Sequence, residues 1–291
     1  MRRKWYITGA CLLLLLGVER LYYFQNGGFR SSKLISDLPS ECNPPPEGIK
    51  ELLDQPFHFL GRGGTSFAFL GEDGKTVLKL FKHQHLFPKN PLFRLKLPGI
   101  SDRFRIDRIV ATQKKKAHKH HSFFLKSCSL AYTALQEETG LLYLSLRPNT
   151  SFDQSIKLID RWGFVHRVNL SQTEFALQKK ADLFLPHLEA LLKTGKQEEC
   201  KLALDSLLNQ IARRCHQGIG DRDSNLLINF GFVEGAAVEF DLGSYFVNRA
   251  LKNPAMQKRE LFISTYDLQK WLEKHSPDLL DYLLKRIQNG I

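Results

Sequence analysis

The chain has 291 residues, 43% hydrophobic and 25% charged, a size for one large domain or two modest ones and a composition that excludes a disordered polymer. Its 42 basic and 30 acidic residues leave a formal charge of +12, which favours anionic partners without choosing among nucleotides, nucleic acid and anionic lipid. No basic stripe interleaved with aromatics is present, so nucleic acid is not the expected partner, and five widely spaced cysteines without a CxxC pair argue against a zinc site or a disulfide framework.

The first feature in chain order is a basic head, Met1-Arg2-Arg3-Lys4, before an almost continuous apolar run from Ile7 to Val18 centred on Leu12–Leu16. This is the profile of a signal peptide or short signal anchor, although a spanning helix needs about 20 apolar residues. Residues 1–20 are thus expected to provide a membrane association or a secretion route, with a cytoplasmic location as the alternative. Residues 21–48 carry Gly27-Gly28, Ser31-Ser32, Pro44-Pro45-Pro46 and Gly48 and read as a linker, so the folded domain is expected over 49–291.

Residues 57–70 and the run Val77–Phe81 read as strand, glycine turn, strand, tight turn at Gly71–Gly74, strand. Phe87–Ile109 is irregular and basic. Ala111 to about Glu138 reads as a helix with a stripe at Leu130, Ala131, Ala134 and Leu135. Leu141–Leu146 reads as a strand, Ile156–Ile159 and Phe164–Leu170 as a hairpin, and Phe175–Leu177 as a further strand. The periodicity then changes. Ala181–Leu192 and Glu198–Cys215 read as helices, Phe230–Val233 and Ala237–Phe240 as a hairpin around Glu234-Gly235, and Leu261–Trp271 and Leu279–Ile287 as terminal helices. Strands early and helices late predict an α+β chain of two lobes with a cleft between them. The β-rich N-lobe is expected over about 55–177, the small helical C-lobe over about 181–291, and the hinge near Gln178-Lys179-Lys180.

Four groups of residues could carry chemistry. Gly61, Gly63, Gly64, Thr65 and Ser66 form a glycine turn between strands, where backbone N–H groups can approach phosphate oxygens. Strands rather than a helix follow, so this is neither a Walker motif nor a dinucleotide fingerprint. Lys79 sits in an apolar strand, which a lysine enters either at an edge or to meet an anion; its place after a glycine hairpin favours the anion. Asp221, Asp223, Asn225 and Asn229 gather in one stretch between a helix and a hairpin. Phosphoryl transfer needs a carboxylate at the acceptor hydroxyl and an oxygen ligand for magnesium, whereas a polar turn with Asx caps is the plainer reading. Asp241 ends a strand in Asp241-Leu242-Gly243, where a carboxylate can bind magnesium.

In the order of these motifs the chain resembles the protein-kinase-like superfamily, over about residues 57–246. Gly61–Ser66 is similar to its phosphate-covering loop, Lys79 to its phosphate lysine and Asp241-Leu242-Gly243 to its Asp-Phe-Gly metal motif. Ile219-Gly220-Asp221-Arg222 resembles the catalytic loop of phosphoinositide kinases. Asn229-Phe230-Gly231 resembles the end of that loop in the bacterial HipA-like serine kinases. The resemblance implies a two-lobed kinase-like fold with ATP and Mg2+ as cofactors. It implies nucleotide binding by the glycine loop, Lys79 and Gln178, magnesium at Asp241 with Asn229 or Asn225, and Asp223 or Asp221 at the acceptor hydroxyl. Two departures stand out. A kinase catalytic Asp and its Asn are five apart, whereas Asp221 and Asn225 are four apart and Asp223 and Asn229 six. Only fifty residues follow Asp241, without an Ala-Pro-Glu motif or a peptide-docking platform. The expected activity is therefore phosphoryl transfer to a small-molecule, lipid or specialised protein hydroxyl. The alternative is a nucleotide-binding pseudokinase scaffold or a membrane-associated or secreted effector.

Overall fold

A computed structural model describes residues 2–36, 38–82, 106–223 and 225–290. The fold is mixed α+β, with most strands before Lys179 and most helices after it. The chain divides into two compact units. Unit 1 comprises Met1–Gln84 and Arg147–Ala176; unit 2 comprises His85–Leu146 and Leu177–Ile291. The irregular stretch expected over Phe87–Ile109 lies largely outside the described residues.

In unit 1, helix α1 (Arg2–Gln25) and the short α2 (Ile49–Leu53) precede an antiparallel meander of β1 (Pro56–Arg62), β2 (Ser66–Gly71) and β3 (Thr76–Phe81). The hairpin of β5 (Ser155–Ile159) and β6 (Val165–Asn169) adds to it through a parallel pairing of β5 with β1, for an order β6-β5-β1-β2-β3. Because side chains alternate across a sheet, Phe67, Phe69, Leu78 and Leu80 share one face, with Phe67 opposite Leu80 and Phe69 opposite Leu78. Phe29 covers that face. Its ring meets Phe67 and Phe69 edge-on at 5.3 and 5.2 Å, and it is 1% exposed. Leu34 is also buried, Ile35 bridges Thr173, and Glu41 bridges Asn149. The segment that reads as a linker is thus part of the sheet's packing. Gly27 and Gly28, both at positive φ, turn the chain out of α1 so that Phe29 reaches the sheet.

The same structure corrects the reading of residues 1–20. Among the described residues no helix is long and apolar enough to cross a membrane. The apolar run of α1 gives way to Glu19 and Arg20, and the last turns of the helix belong to unit 1. The Tyr22 hydroxyl donates to Asp160 Oδ2 at 2.5 Å, and Trp162 Nε1 donates to Gln25 Oε1 at 2.7 Å. This overturns the reading of residues 1–20 as a membrane-spanning signal anchor and the membrane association expected from it.

Unit 2 opens with α3 (Ile106–Ala134), α4 (Gln136–Thr139) and β4 (Leu141–Ser145). The helix expected to run to Glu138 breaks at Leu135. Strand β7 (Phe175–Lys179) starts in unit 1, where Phe81 N donates to Glu174 O just before it, and its later residues lie beside β4. Then follow β8 (Asp182–Leu183), α5 (Phe184–Lys193), α6 (Gln197–His216), β9 (Ile219–Asp221), α7 (Leu226–Asn229), β10 (Phe230–Val233), β11 (Ala236–Glu239), β12 (Tyr245–Val247), α8 (Pro254–Ser264), α9 (Tyr266–His275) and α10 (Pro277–Asn289). The inward face of α6 (Leu204, Leu207, Leu208, Ile211) packs in one core with Leu268, Leu272, Leu279 and Leu283 of the last two helices. The helix expected over Leu261–Trp271 is two helices. Thr265 parts them, its hydroxyl donating back to Leu261 O at 2.7 Å. Strands β8, β10 and β11 form one small sheet, and β9 pairs with β12 in another. The β10–β11 turn has Glu234 at φ 52° and Gly235 at φ 83°, the two left-handed residues of a tight hairpin.

Candidate functional site

In unit 1 the glycine stretch links β1 to β2. Gly63 N donates to Ser66 O at 3.0 Å, and Thr65 O accepts Lys82 N at 2.8 Å. A Cβ built at Gly61 or Gly64 would meet nothing within 4 Å, and one at Gly63 would only come within 3.8 Å of Ser66 Oγ. None of the three has positive φ. Neither strain nor packing therefore calls for glycine at these three positions. Lys79 stands opposite Ala68 across the β2–β3 ladder and is half-buried.

A second lysine, Lys82, escapes the sequence reading. It is 5% exposed, its Nζ donates to Gly63 O at 2.6 Å, and it lies 4.1 Å from the centroid of Phe67. Burial pushes its ammonium down to about 8, with repulsion from Arg62 and Lys33 adding to the shift. It ties the end of β3 to the glycine turn. Continuing the alternation of Leu78 and Leu80 by one more step would have placed it on the covered face rather than in the solvent.

In unit 2 the turn Asp241-Leu242-Gly243 is pinned on every side. Phe240 N donates to Asn229 O at 2.9 Å, and Phe240 O accepts Gln178 Nε2 at 3.3 Å. The Ser127 hydroxyl of α3 donates to Leu242 O at 2.6 Å and accepts Tyr245 N at 2.7 Å. Asp241 Oδ1 itself accepts Gly243 N at 3.1 Å. Gln178 is buried and gives the same amide to Thr139 O at 2.9 Å, so its side chain braces the turn from β7.

The neighbouring polar stretch is equally organised. Asp221 closes β9, and its Oδ1 accepts Asp223 N at 3.2 Å. Asn229 Nδ2 donates to Asp223 O at 2.9 Å, and Asn225 O accepts Asn229 N at 2.9 Å. The single turn of α7 between Asn225 and Asn229 accounts for the six-residue spacing of Asp223 and Asn229. Asp223 is exposed, yet burial of part of its surface and the charges of Asp221 and Asp241 push its carboxyl up. Arg222 lies over the rings of Phe123 and Phe246, at 4.4 and 5.2 Å. Gly220 is a packing glycine, since a Cβ there would come within 2.7 Å of Phe246 Cζ. Among the described residues no three His, Cys, Asp or Glu side chains could hold a metal by themselves. This donor set suits magnesium, which is commonly held by one or two carboxylates plus the phosphates it accompanies. A cavity of about 380 Å³ lined by Asp182, His187, Leu191, Phe232 and Glu234 contains none of the candidate residues.

Along the chain run a glycine hairpin, a lysine strand, a long helix and a one-turn helix, five strands, two helices, a short strand leading into the carboxylate stretch, a hairpin and an aspartate turn. No family model and no curated protein matches the chain. Solved structures of WbdD do match. One with the kinase inhibitor LY294002 is 16% identical, with a TM-score of 0.37, over 79% of this chain and 45% of that one. A medium-resolution structure of the bifunctional kinase-methyltransferase WbdD is 16% identical, with a TM-score of 0.33, over 77% and 42%. A high-resolution structure is 15% identical, with a TM-score of 0.35, over 79% and 45%. The chain spans less than half the length of these proteins.

Proposed function

We propose that this chain is an ATP- and magnesium-dependent phosphotransferase acting on a hydroxyl group. The observation that carries the reading is the Asp241 turn. Ser127, Gln178 and Asn229 fix it through hydrogen bonds from three separate elements. Such rigid support is what a metal-binding carboxylate needs. Asp241 is the principal magnesium ligand in this reading, with Asn229 or Asn225 assisting. Asp221 and Asp223 are the carboxylates for the acceptor hydroxyl. The amides of Gly61–Ser66 and the Lys79 ammonium serve the phosphates, and Gln178 supports the adjoining strand. Bound magnesium would neutralise the phosphate oxygens and the charge that develops on them during transfer. The acceptor proposed is a hydroxyl of a small molecule, a lipid or a specialised protein.

Calorimetry with MgATP tests this directly. The parent is expected to bind, and Asp241→Ala to bind at least tenfold more weakly. Asp221→Ala and Asp223→Ala, compared in ATP turnover, assign the acceptor carboxylate: that variant keeps its affinity and loses turnover. A well-folded parent that binds no MgATP rejects the proposal. Binding without turnover against a panel of hydroxyl acceptors favours the pseudokinase scaffold instead.

A further inference from the structure

Arg214 has no part in the chemistry proposed above, yet among the described residues it is the largest wholly buried side chain, at 0% exposure. It projects from α6, and its guanidinium makes one hydrogen bond and lies within ion-pair distance of two carboxylates. Nη1 donates to Ile219 O at 3.3 Å, Nε lies 3.2 Å from Glu239 Oε2, and Nη2 lies 3.6 Å from Glu260 Oε1 of α8. Ile219 opens the three-residue strand β9, which ends at Asp221. Glu239 ends β11, and Asp241 follows two residues later. The two strands belong to different sheets, β9 with β12 and β11 with β10 and β8, so no ladder joins them. Arg214 is one of the side chains that do, beside the Glu239 carboxyl, which interacts with Asp221 directly, and the Tyr245 hydroxyl, which donates to Glu239 O at 3.2 Å.

A buried ion pair is a poor way to stabilise a core, since apolar residues of similar volume commonly do as well or better. What a guanidinium supplies instead is a fixed charge that can meet several partners at once, here one carbonyl by a hydrogen bond and two carboxylates by charge. Here those partners are the strands leading into two functional carboxylates. We infer that Arg214 is a positioning residue that sets the placement of Asp221 relative to Asp241, an inference that rests on the phosphotransferase reading. Arg214 touches no reacting group itself. It acts through the backbone of Ile219 and through Glu239.

The test uses the full chain with Arg214→Met and Glu239→Met together, so that neither charge is stranded. MgATP hydrolysis is the activity probe, with water standing in for the acceptor, and amide hydrogen exchange is the second readout. The double variant is expected to melt as a folded protein, with kcat at least tenfold lower and KM for MgATP changed less than threefold. Amides of Asp221–Asp223 and Asp241–Gly243 should exchange at least tenfold faster, while α9 and α10 keep their parental protection. A merely structural role would instead leave kcat per folded molecule unchanged, or raise exchange throughout the unit, and either result overturns the inference. If the parent hydrolyses no MgATP, the phosphotransferase reading suffers on its own account and exchange decides here: selective loss at the two segments supports the tie, and parental protection overturns it. Should the double variant not fold, Arg214→Lys carries the same measurements. It keeps the charge but cannot span three partners, and a kcat loss of at least threefold is expected.

Discussion

Ser127 offers the sharpest link between stability and the proposed site. Its hydroxyl is 1% exposed and bridges Leu242 O at 2.6 Å and Tyr245 N at 2.7 Å. Ser127→Ala removes both hydrogen bonds and leaves a buried carbonyl and a buried N–H without their partner. Each stranded group costs about 1–3 kcal/mol. Cys128 Sγ, 3.7 Å from Leu242 O, offers the carbonyl a weak substitute, and alanine regains about 0.5 kcal/mol of helix propensity in α3. The expected net loss is about 1.5–5 kcal/mol. Urea unfolding of parent and variant measures it, with an unchanged m-value showing that the denatured state is the same. Because the lost bonds hold the residue after Asp241, the variant should also bind MgATP at least fivefold more weakly. A loss below about 0.5 kcal/mol, with parental MgATP affinity, would refute the argument that this hydroxyl secures the turn.

Two further outcomes are expected in unit 1. Phe29→Ala removes the ring that covers Phe67 and Phe69 and should cost about 3–5 kcal/mol in urea unfolding; a true linker residue would cost nothing. Lys82 sets a pH dependence. Its folded pKa, about 8, lies below the ordinary 10.5, so between these values the unfolded chain binds more protons than the folded one. Stability should therefore rise as pH goes from about 8 to 10.5, and below about 8 the penalty for charging the buried amine stays constant. Lys82→Met should abolish that rise, as denaturation at pH 7.5, 9 and 10 would show.

Both local pattern and its limits are visible in particular residues. The alternation of Phe67, Phe69, Leu78 and Leu80, the Glu234-Gly235 turn and the inward stripe of α6 depend on near neighbours in the chain, so strands, hairpin and helix could be read from sequence. So could the candidate chemistry, because Gly61–Ser66, Lys79, the Asp221–Asn229 stretch and Asp241 come as short motifs in a fixed order. Polar residues that act over long separations could not. Ser127 meets Leu242 and Tyr245 more than a hundred positions away, and Gln178 reaches back to Thr139 and forward to Phe240. Nothing in their local sequence marks them as braces. Arg214 looks like one more surface cation at the end of a helix until packing takes it out of water. Residues 1–48 make the same point. Composition alone determined that α1 begins basic and apolar and that glycines and prolines follow. Only the tertiary structure decided that the end of α1 and Phe29 belong to the sheet, because burial of an aromatic ring depends on the face that meets it, and that face is built from strands encoded later in the chain.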